Sequence, residues 1–163
     1  MKNTFLLLLL CGLGLGVSHA QDAVPFTFKT RKGVVIKQEV LDILLGTTWT
    51  SYKQYAVKAG KAQPQKSNFF ALRINADSAF QVSGTNYRQN GQWAVKGKSL
   101  QLQVVEDVKA PNPESFSIKG DYLIYKITND ELLLVKELQG GEQWVGYFKG
   151  TKPAGIGPMP MAS

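Results

Sequence analysis

From Thr47 onward, apolar and polar residues alternate in short runs separated by turn-forming residues. Residues 99–105 show the pattern most cleanly, with Leu100, Leu102 and Val104 set against Ser99, Gln101 and Gln103. A period of two sends successive side chains to opposite faces, so each run predicts a strand with one buried face. The same pattern predicts strands over 47–57, 68–74, 79–84, 91–96, 131–138 and 143–149, and over 116–128 either one strand bent at Gly120 or two short ones, 116–118 and 122–128. Asn75-Ala76-Asp77-Ser78, Gly97-Lys98, Asn129-Asp130 and Gly140-Gly141 have the composition of tight turns. Residues 58–67, 87–90 and 106–114 read as longer connections.

One stretch has a different period. Over 37–45, Val40, Leu41, Leu44 and Leu45 form a single stripe, with Lys37, Glu39 and Asp42 on the other side. That spacing predicts a short amphipathic helix, with Gly46 as the C-cap that stops it and one end of the sheet as its seat. Eight strands, or nine, at intervals of about 8–13 residues with hairpin-length links predict antiparallel, up-and-down connectivity. Closing such a sheet into a barrel removes the edges that would otherwise need protection. The fold class expected is therefore all-β, an antiparallel eight-stranded (or nine-stranded) barrel with one short N-terminal helix. A stacked sandwich is the alternative.

The first 20 residues read as a signal peptide. Lys2 precedes an apolar stretch from Phe5 to Val17, and Ser18-His19-Ala20 offers a small-residue cut site ahead of Gln21. A membrane span needs about 20 apolar residues, which this stretch does not reach. The organisation expected is a leader over 1–20, an arm over 21–36, the barrel over 37–150 and a disordered tail over 151–163. A bacterial export signal of this kind implies a periplasmic or secreted protein without a membrane span.

Cleavage changes the chemistry available. It removes Cys11 and His19, the sole cysteine and histidine of the chain. What remains has no disulfide and no histidine for a catalytic triad, a zinc site or a haem. No metal and no cofactor are expected. Asp77, Asp121, Asp130 and Glu131 fall at turns, and Glu131 and Glu137 stand six apart, so no carboxylate pair is visible and no enzyme activity is expected. The formal charge of +7 comes from scattered lysines with only three arginines, Arg31, Arg73 and Arg88. A nucleic-acid surface would cluster its cations, so a solvated basic surface is expected instead.

Three segments open with glycine and reach a tryptophan: Gly46-Thr47-Thr48-Trp49, Gly91-Gln92-Trp93 and Gly141-Glu142-Gln143-Trp144. Together with Asn75-Ala76-Asp77-Ser78-Ala79-Phe80 and Ile127-Thr128-Asn129-Asp130-Glu131-Leu132, they resemble the small exported bacterial lipocalin-like domains over about residues 40–150. The resemblance implies a calycin-type barrel with an internal cavity, in which Gly46 and Trp49 are structural. It also implies a cation stacked on Trp49, for which Lys149 and Arg73 are the candidates. The first motif departs from the Gly-x-Trp spacing of lipocalins by one threonine.

Strict alternation places Tyr55, Phe70, Leu72, Phe80, Val82, Trp93, Leu100, Leu102, Leu123, Tyr125, Leu132, Leu134, Trp144 and Phe148 inside. Of these, Tyr55, Phe70, Leu72, Phe80, Trp93, Leu102, Tyr125, Leu134 and Trp144 are the candidate ligand-binding set, with the Tyr55 and Tyr125 hydroxyls or Lys53 orienting a polar head. Non-enzymatic binding of a small apolar or amphipathic molecule in the cell envelope is the function expected, by a monomer or weak oligomer. The alternative is a protein- or glycan-binding module, such as an exported inhibitor, with a solid barrel. Its contacts would be the connections at 58–66 and 106–114, or exposed aromatics such as Phe69, Tyr122 and Tyr147.

Overall fold

The structure, a computed structural model, describes residues 33–65, 69–85, 87–109 and 117–152. The expected leader, residues 21–32 of the arm and the tail from 153 lie outside the described residues. Among the described residues one α-helix, α1 (Gln38–Leu45), precedes nine strands. These are β1 (Thr48–Lys58), β2 (Lys61–Pro64), β3 (Phe70–Ile74), β4 (Ala79–Gly84), β5 (Tyr87–Lys96), β6 (Ser99–Lys109), β7 (Gly120–Ile127), β8 (Glu131–Glu137) and β9 (Gln143–Thr151).

All nine belong to one antiparallel sheet. From β3 to β9 each strand pairs with its successor, and β9 returns to pair with β1 from Thr48↔Thr151 to Val57↔Gln143. The sheet thus closes on itself as a barrel-like ring. β2 and β3 share one edge of β1, β2 against Tyr55–Lys58 and β3 against Thr48–Thr50. Nine strands therefore occupy eight positions around the ring.

Several connections are shorter than the sequence suggests. Ala59 and Gly60, both at positive φ, make a two-residue turn from β1 into β2, so the expected loop over 58–67 contains a strand. Residues 87–90 and 106–109 pair with each other as extensions of β5 and β6 rather than forming loops, and the rest of the connection expected to reach 114 lies outside the described residues. At the C-terminus, Thr151 is still in register with Thr48, one residue past the expected boundary.

Three irregularities interrupt the alternation. The register slips between Ser51 and Lys53 in β1, at Asn90/Gly91 opposite Val105 in β6, and between Ile124 and Lys126 in β7. Each inserts one residue and turns every later side chain of that strand to the other face. Trp49 and Ser51 point inward, but beyond Tyr52 it is Gln54 that meets the interior Trp144, and Tyr55 faces outward. In β7, Tyr122 and Ile124 are buried in the main core, while Leu123 and Tyr125 are not part of it. The inward placement expected for Tyr55, Leu123 and Tyr125 is thereby corrected.

The interior is built on aromatic rings seated over glycines. Phe70 meets Phe148 edge-on at 5.5 Å and Tyr122 meets Trp144 at 5.8 Å, with Phe148 6.5 Å from Trp144. A Cβ on Gly146 would press into the Trp144 indole and lie 2.9 Å from Phe148. One on Gly150 would stand 2.9 Å from the Trp49 ring and 2.7 Å from the Asn129 carbonyl oxygen. Gly91 lies under Phe80 in the same way, against the carbonyl oxygen of Gln103. Glycine at these inward positions gives each ring a berth against the backbone.

The helix closes one end. Leu44 is fully buried, and its carbonyl accepts a hydrogen bond from the Trp49 indole at 3.1 Å. That bond satisfies one of the carbonyls a helix leaves open at its C-terminus. Gly46 is the C-cap, as expected, but at φ −80° it needs none of glycine's freedom. Ahead of the helix, the Val34 amide donates to the Ile124 carbonyl at 2.8 Å, so this part of the arm adds to β7 where β6 no longer covers it.

The berth under Phe80 gives a direct test. Gly91→Ala is expected to lower unfolding stability by about 1–3 kcal/mol through overpacking, because the Gln103 carbonyl belongs to the paired backbone and cannot swing aside. Gly140→Ala, where a Cβ meets nothing within 4 Å but φ is +75°, is the comparison for backbone strain alone. Urea denaturation of both variants measures the difference.

Candidate functional site

Polar groups inside the ring gather at the end opposite α1. Gln89 has no exposed surface; its amide donates to Asp107 at 3.2 Å and its carbonyl accepts the Ile118 amide at 3.1 Å. The Tyr122 hydroxyl donates to the Ile118 carbonyl at 2.6 Å, and the Trp144 indole donates to Gln54 at 3.3 Å. Lys136 extends the inward row of Leu132 and Leu134; its ammonium donates to the Lys119 carbonyl and stands 5.5 Å from the Tyr122 ring centre. Partial burial holds the Lys136 ammonium below its usual pKa, and burial pushes the Tyr122 phenol up. A buried polar group without a partner is costly, and here hydrogen bonds tie the segment at 117–119 to the ring.

The candidate interior residues separate into two groups. Phe70, Leu72, Phe80, Leu102, Leu134 and Trp144 belong to the main core, with Trp93 packed against it. The Trp93 indole donates to the Asn75 carbonyl at 2.8 Å and its amide to the Ser78 carbonyl, which clamps the β3–β4 turn. Tyr55 and Tyr125 instead pack on a second cluster outside the ring: Val57, Ala62, Leu133, Val135 and Val145. Lys149 does not stack on the buried Trp49; it reaches Tyr52, 5.5 Å from the ring centre. Arg73 stands exposed, paired across from Thr48.

That outer cluster carries a face that alternation alone did not reveal. Tyr147 meets Tyr55 at 5.9 Å and Tyr52 at 6.2 Å, both edge-on, over the covered aliphatic side chains. The Lys53 ammonium stands 5.9 Å from the Tyr52 centre, so two lysines bracket one ring. Glu131 bridges Lys126 at 2.6 Å and Lys149 at 3.0 Å. Hydrogen bonding to Lys126, then to Lys149, holds the Glu131 carboxyl down to about 2, while burial pushes Tyr147 up to about 12. The bulge at Tyr52 is the cause of this surface, because it turns Lys53, Tyr55 and Val57 outward.

Of the other aromatics expected on the surface, Phe69 is 57% exposed but Tyr122 is 1% exposed. Val105, the unpaired residue opposite the Asn90/Gly91 slip, is 72% exposed. The carboxylates serve local structure: Asp77 accepts the Ala79 amide at 3.1 Å and Asp121 accepts from Gln101 at 3.1 Å. Open grooves of about 390 Å³ and 420 Å³ lie outside the ring, the first beside Arg73, Asn75 and Gln81, the second beside Asp121, Val135 and Glu137. No helix among the described residues is long and apolar enough to cross a membrane.

No family model and no curated protein matches the chain. Among solved structures, the crystal structure of a DUF4847 family protein from Bacteroides vulgatus ATCC 8482 is similar, with a TM-score of 0.48 and 16% identity over 71% of this chain and 99% of that one. A likeness at that level carries no functional argument.

Two measurements follow from the site. Gln89→Leu leaves the buried Ile118 amide without its acceptor and is expected to cost about 1–3 kcal/mol of stability in denaturant titration. Glu131 has a folded pKa below its ordinary value of 4.5, so its contribution is present above that value and is lost as pH falls toward about 2. Glu131→Gln should lower the melting temperature slightly at pH 7 and flatten its decline over that acid window, read by thermal scans at several pH values.

Proposed function

We propose that the chain is a lipocalin-like barrel, exported to the cell envelope, that acts without catalysis as a glycan- or protein-binding module with a filled interior. The observation that carries this reading is the packing at the ring's centre. Leu72, Ile74, Val82, Leu100, Ile124, Leu134 and Phe148 have no surface that water can reach from either side. Side chains lining a hollow large enough for a ligand would keep such surface. Eight positions around a ring enclose a space that side chains can just fill. Recognition then falls to the outside, where the Tyr–Lys face collects rings and cations on rigid strands.

A second reading places an amphipathic molecule at the end opposite α1. Lys136 favours it, an inward ammonium beside the Tyr122 ring, suited to a carboxylate or phosphate head group.

Titration with N-phenyl-1-naphthylamine separates the two. A filled interior predicts no stoichiometric uptake, and a Leu102→Trp variant destabilised by about 1–3 kcal/mol from overpacking. Stoichiometric uptake that fatty acid competes away, and that Leu102→Trp abolishes while the protein stays folded, would replace the first reading with the second.

A further inference from the structure

We infer that the outer face formed by Tyr52, Tyr55 and Tyr147 with Lys53, Lys126 and Lys149 binds an acidic polysaccharide, a chain of sugars bearing carboxylate or sulfate groups. This rests on the reading of the protein as a surface-recognition module and names the partner. The charge is the first reason: three lysines meet two carboxylates, Glu131 between Lys126 and Lys149 and Asp130 near Lys149, which leaves one positive charge in excess. Glu131 and Tyr52 fix where the ammonium groups stand, so less side-chain freedom is lost when an anion docks.

The tyrosines are the second reason. Tyr55 and Tyr147 are half-buried on the same face, with their rings packed edge to face at 5.9 Å. Rings of this kind bring a large contact area and a polar tip, suited to the apolar faces and hydroxyls of sugar rings. The third reason concerns what the face lacks. Leu133, Val135 and Val145 lie beneath it at 8%, 2% and 0% exposure, so these aliphatic side chains are not available for insertion into a lipid bilayer. The cations are lysines spread across β1, β7 and β9 rather than the arginine cluster that nucleic acid favours.

The test compares binding of the purified protein to alginate, neutral dextran and phosphatidylglycerol vesicles by titration calorimetry at low and physiological salt. Alginate is expected to bind and to weaken with salt, and dextran and the vesicles are expected not to bind. Lys53→Glu and Tyr52→Ala should each weaken alginate binding about tenfold or more. Lys98→Glu, the same charge change at the β5–β6 turn across the ring, should alter it by less than about twofold. Circular dichroism verifies the fold of each variant; if Tyr52→Ala fails to fold, Lys53→Glu decides.

Absence of alginate binding would overturn the inference. So would vesicle binding as tight as alginate binding, or an equal loss with Lys98→Glu. If alginate fails while N-phenyl-1-naphthylamine is also excluded, the filled-interior reading survives without this partner. If alginate binds at the face while the fluorophore is taken up, the inference survives and the filled interior does not.

Discussion

The seam between β1 and β9 is the pairing on which the other features depend. It joins Thr48 to Thr151 and Val57 to Gln143, and so turns a linear run of hairpins into a ring. Without it, two long strands would present unpaired amides and carbonyls to solvent, and the sheet would be free to flatten. With it, the inward side chains face one another at short range and α1 has an end to close. The seam also holds the tyrosine–lysine face together, since Lys53 and Tyr55 come from one of its strands and Tyr147 and Lys149 from the other.

Closure fixes the volume inside, and the glycines make that volume usable. Trp49, Trp144, Phe80 and Phe148 are too large to face one another unless some inward positions carry no side chain. Gly91, Gly146 and Gly150 supply that relief at the cost of local stiffness, and the surrounding hydrogen bonds restore it. In two of the Gly-to-Trp segments, the leading glycine does not make room for its own tryptophan. Gly91 gives room to Phe80 rather than to Trp93, and the glycine that makes room for Trp144 is Gly146, which follows it.

Most of the fold was legible in period-two hydrophobicity. β4 has the expected bounds, β6 and β8 the expected starts, and α1 differs by one residue. Seven of the nine candidate interior residues lie in or against the main core. The two exceptions share one cause. Counting by twos from Trp49 reaches Tyr55, and counting back from Ile127 reaches Tyr125, but each count crosses a bulge. A bulge is one extra residue whose cost depends on the partner strand, so nothing in the local sequence marks it. The outer face is hidden for the same reason: Tyr55 counts inward by twos, which separates it from Tyr147, a residue that reads as exposed.

The three tryptophans occupy separate mechanical parts of the molecule. Trp49 is bonded to the last turn of α1, Trp93 to the β3–β4 turn, and Trp144 to Gln54 near the opposite end. Indole emission shifts with polarity, so keeping one tryptophan and replacing the others by phenylalanine turns the protein into its own set of local optical gauges. Loosening of the plug, the turn or the far rim would then register as separate signals, from a chain that carries no added dye.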